Sequence, residues 1–300
     1  MSAGLLFSTA ASPHLVVPIL EMSDLREAKY RLGSFTDGEI MFYLNEPVKG
    51  HPCFILGHTG PPAENLLRMV TIINTLKING AKTVVAIIPF FGYGRSDKSK
   101  ALEPINARLF AGFLKQAGAS RVICLDLHSN LCKSYLTIPV THLSAMPLLA
   151  DYYLDMKLSY PAIVSPDRGG IDRAREFAKI FNEKHIVIIT KSRPSHSSAE
   201  IRTISGEVSG RDAIIVDDMI QSGQTLYQSG KALKKLGVRR LFAAVTHCIY
   251  QAKGIELLTN ASLFNEIVIT NSLSNYHKPL PRVTILDISS LLSRAMLSSL

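Results

Sequence analysis

The 300-residue chain has no tryptophan, only four cysteines, and no apolar run near the roughly 20 residues a membrane-spanning helix requires. Cys53, Cys124, Cys132 and Cys248 are scattered and form no Cys-x-x-Cys pair, which excludes a zinc ribbon or a disulfide framework and suits a reducing, cytoplasmic setting. The first twenty residues are mildly apolar but lack the basic flank and small-residue cleavage pattern of a signal peptide. Charged residues make up only 19% and hydrophobic residues 47%, a composition that excludes a disordered chain and allows a large core, or two.

The formal net charge of +9 raises nucleic acid as a partner. The cations are dispersed, however, and Lys98/Lys100, Lys234/Lys235 and Arg239/Arg240 extend no further than pairs. No aromatic residues interleave with them, so a base-stacking platform is excluded. Two readings of the charge remain, a solvated lysine-rich surface and a site for a small anionic substrate.

Short apolar runs alternate with helical stretches along the whole chain. Strands are expected at 53–56, 83–88, 121–125, 162–165, 185–190, 212–216, 240–246, 266–270 and 283–287, and helices at 62–79, 104–117, 171–182 and 225–236. This alternation predicts an α/β protein of βαβ units with mostly parallel sheets, whose ligands bind beyond the carboxyl ends of strands. Gly80, Gly118 and Gly237 each follow a helical stretch and precede a strand, as residues that end a helix in the left-handed conformation do. Two domains of similar build are expected, 1–145 and 146–300, with the boundary near 143–160. The stretches 94–103 and 192–198 read as mobile loops.

Most of the polar chemistry falls just after predicted strands. Asp217 and Asp218 close an apolar run and lead through Gln221, Ser222, Gly223, Gln224 and Thr225 into a helix. Adjacent carboxylates can hold two vicinal ribose hydroxyls, and the backbone N–H groups at a helix start bind a phosphate, so this is the layout of a sugar-phosphate cradle. Taken alone, an Asp pair is also a common solvated turn. After the 83–88 strand, Gly92 and Gly94 open the backbone while Arg95 and Lys98 supply charge for phosphate; Ser96 and Asp97 lie between them. His128 ends the next strand, placed to ligate a metal or to serve as an ordinary structural histidine. Asp167, in a Pro-Asp-Arg-Gly-Gly turn, suits a magnesium-bound water or a ribose hydroxyl. Lys191 and Arg193, two apart on one strand, would share a face and repel unless an anion lies between them. The alternative is a solvated basic loop. Phe35, Asp37 and Glu39 place an aromatic ring and two carboxylates together, either to hold a purine or simply as a hairpin turn.

In chain order these segments read Phe-x-Asp-Gly-Glu, Pro-x-x-x-Tyr-x-Arg-x-Asp, Glu-Pro-Ile, Asp-Leu-His, Ser-Pro-Asp-x-Gly-Gly, Lys-x-Arg and Val-Asp-Asp-Met. In this order, and over nearly the whole length, the chain resembles the ribose-phosphate pyrophosphokinases. The resemblance implies two phosphoribosyltransferase-like domains and transfer of the β,γ-diphosphoryl group of MgATP to the 1-hydroxyl of ribose 5-phosphate, with AMP released. It implies that Phe35, Asp37 and Glu39 hold adenine, lent by a neighbouring subunit, so that the protein is at least a dimer. Arg95, Ser96 and Asp97 would serve ATP, while His128 and Asp167 would organise Mg2+. Lys191 and Arg193 would stabilise the transition state. Asp217 and Asp218 would take the ribose diol, and Gln221, Ser222, Gly223, Gln224 and Thr225 the rest of ribose 5-phosphate.

Three departures mark a divergent member. Gln221 stands where the family's loop carries an acid, Gln224 where it carries a glycine, and Ser96 follows the arginine where glutamine is usual. The Gln-Ser-Gly sequence resembles that of plant-type synthetases, which implies altered phosphate activation and ADP inhibition. Two other classes compete: a non-catalytic, synthetase-associated regulatory protein, and a phosphoribosyltransferase that consumes the same product. The first should lack Lys191, Arg193 or the Asp pair; the second needs no separate N-terminal domain with nucleotide residues.

Overall fold

The structure is a computed structural model. It describes residues 4–299 apart from 100–101, 159, 196–197, 250–253, 255–256, 260–261 and 274–280, with 191–195 and 198–202 described as backbone only. The chain divides into two compact units, Met1–Leu143 with Ser272–Ser274 and Ile288–Leu300, and Ser144–Asn271 with Asn275–Asp287.

The first unit is built on a six-stranded sheet of β1 (Gly4–Ser8), β2 (Leu25–Glu27), β5 (Pro52–Leu56), β6 (Thr83–Ile88), β7 (Arg121–Leu125) and β8 (Val140–Leu143). Its order is β2-β1-β5-β6-β7-β8 and every pairing is parallel. A separate hairpin pairs β3 (Tyr30–Ser34) with β4 (Ile40–Leu44). Helices α1 (Val16–Glu21), α2 (Glu64–Ile78), α3 (Asn106–Ala117) and α4 (Asn130–Tyr135) follow strands. The apolar spacing in α2 puts Met69, Ile72, Ile73 and Leu76 on one stripe, and all four are buried in the cluster with Ile55, Ala86 and Cys124. Each such side chain stabilises the fold by about 1.5–3 kcal/mol.

The second unit carries a seven-stranded sheet ordered β11-β10-β9-β12-β13-β14-β15. Its strands are β9 (Ala162–Ser165), β10 (Ile186–Ser195), β11 (Ser198–Ser205), β12 (Ala213–Ile220), β13 (Leu241–Cys248), β14 (Glu266–Thr270) and β15 (Val283–Leu286). All pairings are parallel except β10 with β11. Helices α5 (Met146–Asp155), α6 (Ile171–Ile180) and α7 (Gln224–Lys235) cover it. On one face Tyr153 packs its ring against Phe177 and Phe242 and donates its hydroxyl to Ala243 O at 2.8 Å. On the other, Leu226 and Leu233 of α7 join Ile215, Val245 and Ile269 in the core.

The expected parallel α/β architecture is present in both units, and the strands at 83–88, 121–125, 162–165 and 266–270 have the expected limits. One expectation is corrected, and two helices are added to those expected. The stretch 146–155 is the helix α5, because its apolar residues Met146, Leu149, Ala150 and Tyr153 repeat at helical spacing and are buried. The polar stretch 192–198 is not a loop in its described part: residues 192–195 belong to β10 and Ser198 opens β11, with Ser195 opposite Ser198. Strand pairing there uses backbone groups, which polar side chains on an edge do not oppose. Last, α8 (Ser289–Leu297) packs on α1 in the first unit, where Ser293 Oγ donates to Met22 O at 3.0 Å.

Candidate active site

In the second unit the chain runs from β9 outward to β10 and β11, then returns to lay β12 on the other side of β9. Strand order therefore reverses between β9 and β12, which leaves a crevice beyond their carboxyl ends. Asp167 follows β9 there, exposed, with Oδ1 accepting from Gly170 N at 3.0 Å. Asp217 and Asp218 arrive on β12 itself. They lie inside the strand rather than after it, because pairing with β13 continues to Met219 opposite His247 and Ile220 opposite Cys248.

Both carboxylates are buried, and Arg173 on α6 faces them, with Nη1 3.8 Å from Asp217 Oδ1 and 3.7 Å from Asp218 Oδ1. Burial pushes the Asp217 carboxyl well above the usual carboxylate range; Asp218 raises it further, while the Arg173 guanidinium opposes both. Asp217 Oδ1 also accepts from Asp218 N at 2.9 Å. This is a costly arrangement of like charges, of the kind found at functional sites. The sequence reading missed Arg173. Helical spacing could have found it, since Arg173 lies beside the buried stripe of Ala174, Phe177 and Ala178 whereas Arg175 faces solvent.

Beyond β12, Ser222 and Gly223 turn the chain into α7. Gly223 is left-handed at φ 71°, and a Cβ there would lie 2.5 Å from Gly254 O, so no other residue fits. The first helical residue is Gln224, exposed together with Thr225 and Ser222, so the glutamine in place of glycine meets no backbone constraint. Their N–H groups stand at the helix N-terminus, where partial positive charge favours a phosphate.

Lys191 and Arg193 lie on β10 next to β9, beyond the last parallel pair at Ile188. The antiparallel ladder is interrupted between Thr190 and Lys191 and again between Ser192 and Ser195, so regular alternation does not run through the pair. Their side chains lie outside the described residues.

In the first unit Arg95, Ser96 and Asp97 form the turn after β6, and His128 follows β7, the next strand in the sheet. The loops after β5 and β6 touch, for a Cβ on Gly92 would lie 2.4 Å from Gly60 Cα. Arg95 is exposed, Ser96 is half-buried and Asp97 is buried. Two residues before His128, Asp126 sits at φ 36°, an unfavourable angle for a non-glycine residue and one that re-aims the chain after β7. Phe35, Asp37 and Glu39 occupy the exposed tip joining β3 to β4, closed by Phe35 N to Glu39 O at 2.8 Å and Glu39 N to Asp37 Oδ1 at 3.1 Å. The hairpin turn is thus real, and it presents the aromatic ring to solvent.

Among the described residues no three His, Cys, Asp or Glu side chains converge as a metal cage. Mg2+ usually binds through one or two carboxylates plus waters and substrate phosphates, so an exposed carboxylate such as Asp167 suits it. Among the described residues no helix is long and apolar enough to cross a membrane.

Two mostly parallel sheets stand in this chain, and the second carries an acid pair at its switch point with a helix N-terminus beyond, the arrangement of the phosphoribosyltransferase-like class. The family model for the N-terminal domain of ribose phosphate pyrophosphokinase matches residues 5–118, and that for the phosphoribosyl synthetase-associated domain matches residues 163–298. Ribose-phosphate pyrophosphokinase of Shewanella oneidensis is 37% identical over 97% of this chain and 94% of its own length. The chloroplastic enzyme 1 of Oryza sativa is 37% identical over 97% of this chain and 74% of its own. The crystal structure of phosphoribosylpyrophosphate synthetase from Mycobacterium smegmatis superposes with a TM-score of 0.91 at 30% identity, covering 99% of this chain and 98% of that one. The chain belongs to the ribose-phosphate pyrophosphokinase family.

Proposed function

We propose that this protein transfers the diphosphoryl group of MgATP to ribose 5-phosphate. The 1-hydroxyl oxygen of ribose 5-phosphate attacks the β-phosphorus, the bond from that phosphorus to the α-phosphate oxygen breaks, and the hydroxyl proton is lost. The products are phosphoribosyl pyrophosphate and AMP. The observation that carries this reading is the buried Asp217–Asp218 pair facing Arg173, followed directly by the helix start at Gln224. The carboxylates accept from the two ribose hydroxyls. Gln221, Ser222, Gly223, Gln224 and Thr225 embrace the 5-phosphate at the start of α7.

The reaction needs positioning and charge neutralisation rather than a covalent intermediate. Arg95 of the β6 turn binds ATP phosphates, and Ser96 and Asp97 belong to the same turn. Phe35, Asp37 and Glu39 hold adenine for a neighbouring subunit, so the working protein is a homo-oligomer in the cytoplasm. His128 in the first unit and Asp167 in the second would each serve Mg2+, which would neutralise phosphate charge when bound. Lys191 and Arg193 stabilise the diphosphoryl group in flight. Lys191→Ala is expected to lower kcat by at least about a hundredfold with a much smaller change in either KM, as loss of a contact made only in the transition state does.

Formation of AMP from ATP and ribose 5-phosphate tests the reading directly. A protein that forms no AMP but modulates a second synthetase would be the regulatory alternative. One that consumes phosphoribosyl pyrophosphate with a free base would be a phosphoribosyltransferase.

A further inference from the structure

In the β6 turn the Asp97 side chain is turned away from solvent. Asp97 is 6% exposed, and its Oδ2 accepts from Ser129 Oγ at 2.5 Å. The Asp97 backbone oxygen accepts from the Tyr135 hydroxyl at 2.8 Å. The Cys132 thiol donates to Gly94 O at 3.0 Å. All three donors come from α4 and its cap, and Ser129 also accepts from Cys132 N at 3.2 Å, the N-cap bond of that helix. On the opposite side Ser96 Oγ donates to Pro104 O at 2.5 Å and accepts from Asn106 N at 3.2 Å, which ties the turn to the start of α3. The turn is therefore held at Gly94, Ser96 and Asp97, and of residues 95–97 only Arg95 is left exposed.

We infer that Asp97 is a positioning residue and not a nucleotide ligand, and that Ser129, Cys132 and Tyr135 form with it a latch that sets where Arg95 stands. A carboxylate that already accepts a charge-assisted bond, shielded from solvent, is poorly placed to bind a phosphate or a metal-bound water. It is well placed to fix a backbone. Ser129 directly follows His128, and Gly94 lies close enough that a Cβ there would be 3.7 Å from His128 Cβ. The latch thus sets Arg95 and His128 relative to each other within the first unit. This inference rests on the proposed activity for its kinetic consequences, but not for its structural one.

The test is a double-mutant cycle on the full-length protein with Ser129→Ala, Asp97→Ala and the pair, measuring AMP formation. If the two act through one bond, each single change raises the KM for ATP about tenfold, as losing a hydrogen bond to a charged group does. The pair is then no worse than the poorer single variant, while the KM for ribose 5-phosphate stays within about twofold. Loss of the helix cap is present in both backgrounds of the cycle and cancels. Ser129→Thr, which keeps the hydroxyl, restores most of the ATP affinity. Effects that multiply in the pair would make Asp97 a direct nucleotide contact and overturn the latch, as would equal damage to both substrates. Tyr135→Phe spares the cap and still frees Asp97 O, so it should raise the KM for ATP by a smaller factor.

Amide hydrogen exchange of the ligand-free protein supplies a readout independent of the reaction. Exchange at 94–97 rises in Ser129→Ala and Asp97→Ala if the latch is real; unchanged exchange rejects it. A wild-type protein that forms no AMP would reject the proposed activity and leave the exchange result to decide the latch.

Discussion

Burial raises the Asp217 carboxyl above its ordinary range, so folding favours the protonated form. Ligand-free stability is then fullest below the unfolded carboxylate pKa of about 4 and declines as pH rises toward the folded value. Asp217→Asn removes that decline. The variant is expected to melt about 2 °C or more above wild type at pH 7.5, with the gap closing as the pH nears 4; thermal unfolding at both pH values checks the sign. The same variant should raise the KM for ribose 5-phosphate at least about tenfold, because a neutral amide accepts more weakly than a carboxylate. Greater stability with lower affinity is the signature of a site that keeps like charges together for a ligand. The acid pair itself was legible in the sequence. Arg173 was not singled out, since three arginines follow Asp167 closely and only the helical phase distinguishes the one that turns inward.

At the scale of elements, what matters is how strands end. The sequence placed the end of the 212–216 strand before the Asp pair, because charged residues read as a break in an apolar run. Backbone pairing with β13 carries the strand to Ile220, and that continuation holds the carboxylates rigidly. The turn into α7 depends on Gly223. Gly223→Ala is expected to raise the KM for ribose 5-phosphate several-fold and to lower Tm, since the new Cβ meets Gly254 O at 2.5 Å in a left-handed backbone. Wild-type affinity in that variant would remove the turn from the phosphate cradle. The β10–β11 hairpin escaped the sequence reading for a similar reason, as its polar residues carry no period-two apolar signal while its backbone still pairs.

For the whole molecule, the order of apolar runs predicted two parallel sheets, but chain order does not determine which core each segment joins. The last helix shows this. Leu292 and Met296 of α8 are fully buried, and the helix packs on α1 in the first unit although the chain reaches it from the second. Leu292→Ala is expected to cost about 2–5 kcal/mol. Hydrogen exchange should rise more across residues 4–143 than across 162–248, and an equal rise in both would show that α8 does not belong to the first core alone.

The sequence by itself determined the class of architecture, because alternating apolar runs dictate parallel sheets, and it marked the loops after strands as the candidates for the chemistry. It also carried the family, through motifs whose order chance does not reproduce. Only the tertiary structure decided which side chains those loops turn inward. Arg173 meets the Asp pair because α6 packs on β12, and Asp97 meets Ser129 because the neighbouring strands β6 and β7 bring their following turns together; distance in space has no counterpart in spacing along the chain.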